Sequence, residues 1–151
     1  MTEPNFPTVS GYCQIIDVWR KLGPNGFAWA VDKKRQGDAT PDQVQSYVVM
    51  AIDYASNLID EAVFEKIRPE VARGMGNPWL LDRCADIAVY ETMRIGGRNI
   101  PEVMQKSRDD AIDRLNRVKD GFDIPGLVIP PAIGAPSFGS NRPRAVNIES
   151  S

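Results

Sequence analysis

The feature that most constrains the fold is a long amphipathic run that begins at residues 40–43 (TPDQ). This sequence has the form of a capping box: Thr40 and Gln43 can each satisfy a backbone amide of the other, and proline occupies the first helical position. Apolar residues then recur at three- and four-residue steps, at Val44, Val48, Ala51, Ile52, Ala55, Ile59 and Ala62. The spacing predicts one long helix, which should end near Ile67 because Pro69 follows.

The N-terminal part predicts an arm and a short helix. Residues 1–9 carry two prolines and predict an extended arm. Ser10 could cap a helix over residues 11–22, whose apolar side chains fall at helical spacing, and residues 23–26 (GPNG) should end it. Beyond that stop, the apolar residues at 27, 29 and 31 alternate with smaller ones.

Two more helices complete the expected fold. After a loop at residues 74–77, Asn77-Pro78 should cap a helix that stops at Gly96-Gly97. Its apolar residues spread around the helical wheel, so we expect it to be the most buried. A last helix should run from Pro101 to Gly121. The sequence therefore predicts an all-α protein, a small bundle of about four helices with an extended arm at each end.

Residues 122–151 combine many prolines and glycines with apolar side chains. No helix tolerates that density of helix breakers, yet a disordered tail would be poorer in apolar residues. We therefore divide the chain into an N-terminal arm (1–9), a helical domain (10–121) and an extended C-terminal arm (122–151). We expect the arm to pack on a neighbouring subunit or a partner through Pro125, Leu127, Val128, Ile129, Pro130, Pro131, Ile133, Phe138, Arg142, Arg144, Val146 and Ile148.

Several classes of function are disfavoured by composition. The 151 residues include no histidine, which removes the commonest general base and the commonest zinc ligand. No Walker, GxGxxG or GxSxG motif is present. The net charge is −2, which disfavours a broad nucleic-acid-binding surface. Cys13 and Cys84 are far apart in sequence and are expected to be free thiols. We therefore expect no enzymatic activity, no catalytic residues, no cofactor and no metal site.

Two groups of charged residues have a functional and a structural interpretation. The first group of acids could face one another on two helices, as in di-iron bundles, but the Glu-x-x-His motif of those sites is missing. It consists of Asp53, Asp60, Asp82, Asp86 and Glu91. We favour surface charges plus one buried acid, Asp86, held as a structural pair by Arg94 or by an arginine of another helix.

The second group is basic and could contact phosphates, but it is interleaved with acids that cancel much of its field. It consists of Arg94, Arg98, Lys106, Arg108, Arg114, Arg117 and Lys119.

Four short stretches, taken in order, resemble the Mu-like prophage adaptor family and, more loosely, other phage head–tail connector proteins. They are residues 55–60 (ASNLID), 86–90 (DIAVY), 111–115 (AIDRL) and 119–121 (KDG), followed by a proline-containing tail. The resemblance covers about half of the chain. It implies a helical structural subunit that forms a ring, commonly of twelve copies, and joins the portal vertex of the head to the tail.

The resemblance also implies partners and a location. The chain would contact itself, the portal protein and a tail-side neck or terminator protein, and DNA would pass through the ring without sequence-specific binding. It would be made in the host cytoplasm and reside in the virion neck, with no membrane contact. The alternatives are another head-completion or tail-terminator protein, which is usually β-rich, a helical DNA-binding regulator, and, least favoured, a small enzyme.

Overall fold

The computed structural model describes residues 3–30, 41–97 and 99–127, and this part of the chain is helical without any strand. The predicted all-α class is therefore confirmed. The helices are α1 (Ile15–Ala30), α2 (Pro41–Val63), α3 (Pro69–Gly74), α4 (Pro78–Ile95) and α5 (Glu102–Lys119). Thr40, Val31 and Arg98 lie outside the described residues, as does the arm from Val128 onward.

Helix α4 is the centre of the bundle, because it packs against α1, α2 and α5. It begins at the predicted cap: the Asn77 side chain accepts a hydrogen bond from the amide of Leu80 at 2.9 Å, and Pro78 follows at the first helical position. Half of its eighteen residues are buried. Since a fully buried aliphatic side chain contributes roughly 1.5–3 kcal/mol, this helix anchors the core.

Helix α2 buries the predicted face but ends four residues early. The buried positions are Val48, Ala51, Ile52, Ala55, Ile59 and Ala62. The helix stops at Val63 because the amides of Lys66 and Ile67 both bond to the Val63 carbonyl, at 2.8 and 3.0 Å, which tightens the chain into a turn. Pro69 then opens the short helix α3, which the sequence analysis did not predict.

The prediction for the first helix is wrong at its start and confirmed at its end. Ser10 does not cap it; α1 begins at Ile15, and the amide of Gln14 donates to the carboxylate of Asp17 at 2.7 Å, as in one half of a capping box. Within α1 the helix is interrupted at Gly23, so residues 23–26 end the first helical segment as predicted. Gly23 takes a φ of 75°, which only glycine adopts at low cost, and helix resumes behind it through Ala30.

Candidate interaction surfaces

The acids considered as metal ligands are kept apart by the fold. Asp53 and Asp82 are exposed. The others each lie beside a cation, in the pairs Asp60–Arg73, Asp86–Lys21 and Glu91–Arg94. In residues 3–30, 41–97 and 99–127, no group of three or more acids and cysteines is placed to hold a metal ion.

The predicted pair between Asp86 and Arg94 is wrong. Lys21 Nζ lies 3.2 Å from Asp86 Oδ1, and Arg83 approaches the other carboxylate oxygen at 3.7 Å. Arg94 binds Glu91 instead, with 2.7 Å between Nη2 and Oε1. Asp86 and Arg94 are eight residues apart, which corresponds to about 12 Å along a helix and prevents direct contact. The buried acid held by an arginine is Glu91, which is 4% exposed.

The basic residues of α5 lie beside acids of the same helix. Arg108 Nε is 2.8 Å from its neighbour Asp109. Three further cations each meet an acid one turn away, in the pairs Lys106–Glu102, Arg114–Asp110 and Arg117–Asp113, at 2.8 to 3.3 Å. These pairs cancel much of the positive field, as the alternating signs in the sequence predicted. The arrangement weighs against a phosphate-binding surface on α5.

The N-terminal junction, residues 3–14, is tied to α2 and α3 through polar contacts. The Tyr12 hydroxyl donates to Asp60 Oδ1 at 2.8 Å, and the Arg73 guanidinium binds both oxygens of the same carboxylate. Burial, together with the hydrogen bond to Asp60, raises the pKa of Tyr12 above its ordinary value of 10. Tyr12 therefore stays protonated and acts as a donor that fixes this junction.

The two cysteines, distant in sequence, meet beneath this junction as buried free thiols. The interaction with Cys84, together with burial, raises the pKa of the Cys13 thiol. Ser56 Oγ lies 3.7 Å from Cys84 Sγ and accepts the amide of Tyr12 at 3.1 Å. The chain approaches closely here because of Gly11, where a Cβ would stand 2.8 Å from Ser56 Oγ. Sequence spacing carried no signal for this cluster.

A face of tyrosines and arginines extends over α2, α4 and α5, and we call it the tyrosine–arginine face. On α2, Met50 and Tyr54 are 54% and 46% exposed. On α4, the ring of Tyr90 lies 3.9 Å from the guanidinium carbon of Arg108. Arg94 lies close to Tyr54 and Tyr90. The pKa of Arg94 is raised mainly by its hydrogen bond to Glu91 and, to a smaller extent, by these two tyrosines. Tyrosine, methionine and arginine are enriched at protein interfaces.

A second surface is the groove where the C-terminal ends of α2 and α5 meet, which we call the α2–α5 groove. It encloses about 330 Å³. Lys66 Nζ donates to the Gly121 carbonyl at 3.2 Å and joins the two walls. Phe64, on one wall, is 60% exposed, and Phe122, next to Gly121, is 62% exposed. The lining residues are Glu61, Ala62, Phe64, Glu65, Lys66, Val118, Lys119 and Gly121.

The C-terminal junction, residues 120–127, follows the last helix and packs on the helical body. Ile124 is 4% exposed and belongs to the core. The side-chain amide of Asn77 donates to the Pro125 carbonyl at 3.1 Å, and Leu127 is partly buried against the core. The apolar side chains of Ile124 and Leu127 are therefore buried, fully or in part, against the body of their own chain.

Only two of the predicted arm residues, Pro125 and Leu127, are therefore placed by the structure. The other ten lie outside the described residues. They are Val128, Ile129, Pro130, Pro131, Ile133, Phe138, Arg142, Arg144, Val146 and Ile148.

Comparisons of the chain with protein-family models, with curated proteins and with solved structures find no match. Among the helices that the structure describes, none is both long and apolar enough to cross a membrane.

Proposed function

We propose that this chain is a structural subunit of the bacteriophage neck, forming a ring that joins the portal vertex to the tail and continues the DNA channel. The observation that carries the proposal is the placement of large exposed apolar side chains at two separate sites on a helical body. Met50 and Tyr54 lie on the tyrosine–arginine face, while Phe64 lines the α2–α5 groove. Such side chains are costly on a protein that works alone, and they suit one that assembles.

Two different surfaces on one subunit are what a ring requires. A heterologous contact joins one patch of a subunit to a different patch of the next, and it generates a closed ring when the rotation closes. The tyrosine–arginine face presents Met50 and Tyr54, whereas the α2–α5 groove presents Phe64, so the two surfaces suit different occupants. In this proposal one surface serves contacts between subunits and the other meets the portal protein or the tail-side neck protein.

The charges of the body suit a passive channel. The chain carries a net charge of −2, and the α5 arginines are held by acids of the same helix. A lumen lined by such a surface would bind phosphates weakly and let DNA slide through. The subunit would be made in the host cytoplasm, incorporated into the virion neck, and would need no cofactor, metal or catalytic residue.

The test is mass determination of the purified full chain, alone and mixed with the portal ring encoded in the same genome. We expect a complex that contains one ring of this chain per portal ring. A matched version that ends at Leu127 keeps Ile124 in the core and removes only the remaining arm, so its loss of assembly would assign the linkage to residues 128–151. A full chain that stays monomeric and does not bind the portal would contradict the proposal.

A further inference from the structure

We infer that Cys13 and Cys84 form a modification site, at which oxidation joins them in a reversible disulfide that fastens the N-terminal junction to α4. The inference goes beyond the proposed function and does not rest on it. The chain has two cysteines, and both are buried, with Cys13 1% and Cys84 0% exposed. Each thiol therefore has the other as its disulfide partner within the chain.

The fold brings the two sulfur atoms together. The Cys13 side chain and the amide of Cys13 both form hydrogen bonds with the Cys84 sulfur. Ser56 joins the same two segments independently, because its Oγ lies 3.7 Å from Cys84 Sγ and accepts the amide of Tyr12 at 3.1 Å. Gly11 permits this close approach, since a Cβ there would stand 2.8 Å from Ser56 Oγ.

The backbone around Cys13 can make the adjustment that a disulfide needs. The two Cβ atoms of a disulfide lie about 3.5–4.5 Å apart, which is closer than thiols that are only in contact require. Cys84 is held inside α4, whereas Cys13 lies outside every helix, two residues before α1 begins at Ile15. A small shift of the N-terminal junction, with rotation of the Cys13 side chain, therefore supplies the approach.

The two thiols have different roles in the reaction. Hydrogen bonds from the Cys13 side chain, from Ser56 and from backbone amides outweigh burial and lower the pKa of Cys84. The interaction with Cys84, together with burial, raises the pKa of Cys13. Because the thiolate is the nucleophile, Cys84 reacts with the oxidant first and Cys13 resolves the product.

Hydrogen peroxide is an oxidant with which the step balances. The Cys84 thiolate attacks one peroxide oxygen, the O–O bond breaks, and the departing hydroxide takes up the proton that Cys84 lost, which gives water and a sulfenic acid. The Cys13 sulfur then attacks the Cys84 sulfur, the S–O bond breaks, and the leaving hydroxyl takes the Cys13 proton as a second water. Two electrons pass from the thiols to the peroxide.

The N-terminal junction controls access to the pair. Since both thiols are buried, peroxide reaches them when residues 3–14 open locally from the body. The contacts of Asp60 with Tyr12 and Arg73 oppose this opening. The disulfide would oppose it further and would also restrict the unfolded chain, because it links two positions that are distant in sequence.

The experiment treats the full chain with hydrogen peroxide, blocks the remaining thiols with iodoacetamide, and measures intact mass and non-reduced peptides. We expect a monomer lighter by two hydrogen atoms, with a peptide that joins Cys13 to Cys84 and separates again in dithiothreitol. Its melting temperature should be higher than that of the reduced chain by roughly 5–15 °C. Oxygen added to a cysteine without the link, links only between chains, or an unchanged melting temperature would overturn the inference.

Single cysteine variants test the two roles. Cys13→Ala should leave Cys84 as a sulfenic acid that dimedone traps, because the resolving thiol is missing. Cys84→Ala should leave Cys13 at least fivefold less labelled under the same conditions. Equal labelling of the two variants would overturn the assignment of Cys84 as the attacking thiol.

A matched pair of variants tests the route of access with both cysteines in place. Asp60→Ala, which removes contacts of the junction, should raise the rate of disulfide formation at least tenfold. Asp53→Ala, at an exposed position of the same helix, should leave the rate unchanged. Equal rates in these two variants would overturn the inference that the junction controls the pair.

Discussion

Residues 3–14 and residues 120–127 flank the same helical body, and both stretches mix proline and glycine with apolar residues. The N-terminal junction is attached by many directed contacts. The rings of Phe6 and Phe27 lie 5.6 Å apart, and the Gln14 side chain both donates to and accepts from the backbone of Val9. Tyr12 adds its hydrogen bond to Asp60.

The C-terminal junction has a simpler attachment. Ile124 supplies the buried contact, and the side chains of Asn77 and Lys66 donate to the carbonyls of Pro125 and Gly121, while Phe122 remains 62% exposed. The difference teaches that proline and glycine content alone does not distinguish a closed terminus from one that leads toward a partner. The two junctions differ in how many of their side chains contact the helical body of the same chain. The following four predictions test this contrast, from the largest expected effect to the smallest.

Asp60→Ala should lower the free energy of unfolding by about 3 kcal/mol. The change removes the acceptor of the Tyr12 hydroxyl and leaves the Arg73 guanidinium, 23% exposed, without its carboxylate. Chemical denaturation monitored by circular dichroism measures the loss. Asp53→Ala, at an exposed position of the same helix, serves as the control and should change stability by no more than about 0.5 kcal/mol. Equal effects for the two variants would mean that the N-terminal junction is not held by this network.

Ile124→Ala should cost about 2 kcal/mol, because it opens a cavity in the core under the C-terminal junction. Val103→Ala removes an exposed aliphatic side chain and should be nearly neutral. Thermal unfolding of both variants provides the comparison. If Ile124→Ala is as mild as the control, residues 120–127 do not pack on the body in solution and the contrast between the junctions becomes larger.

Asn77→Ala should cost about 1 kcal/mol, since Asn77 caps α4 and also binds the Pro125 carbonyl. Asn57→Ala, on the exposed side of α2, should be neutral or slightly stabilising because alanine is the better helix former. Urea unfolding at constant pH measures both. A neutral Asn77→Ala would show that neither the cap nor the link to the C-terminal junction contributes.

The contact between Glu3 and Arg20 should be visible as a lowered carboxyl pKa. Two hydrogen bonds from Arg20, at 2.8 and 2.9 Å, favour the ionised form and hold the pKa of Glu3 below its ordinary value of 4.5. A lowered folded-state pKa means that the contact stabilises the fold above about pH 4.5 and that this contribution is lost as the pH falls through the lowered value.

NMR titration of the Glu3 carboxyl measures this pKa, and Arg20→Gln should return it to the ordinary range. An unchanged titration in that variant would show that the first residues of the N-terminal junction are not held against α1 in solution.

The sequence predicted the parts of the fold that local rules control. The Asn77-Pro78 cap and the apolar face of α2 follow from residue type and spacing, and both lie where they were expected. The glycine–proline pair at residues 23–24 correctly predicted the end of the first helical segment, but the sequence did not predict that a second segment begins directly behind it. Helix α3 was missed because six residues carry too little periodicity.

The contacts of the candidate surfaces depend on tertiary structure and were harder to predict. The apolar spacing of α4 suggested Asp86 as the buried acid, but packing buries Glu91, one and a half turns further along, and exposes Asp86 to Lys21. The α2–α5 groove joins residues more than fifty positions apart, so no sequence window contains it. The alternating charges of α5 were predicted correctly because partners one turn apart are fixed by helix geometry.

The central claim is that this chain assembles into a ring, and electron microscopy of the full chain mixed with the portal ring tests it most directly. If the chain assembles in this way, averaged images should show a closed ring of this protein stacked on the portal, with a central channel wide enough for duplex DNA. Images of portal rings alone, with this chain remaining as separate monomers at every concentration, would contradict it.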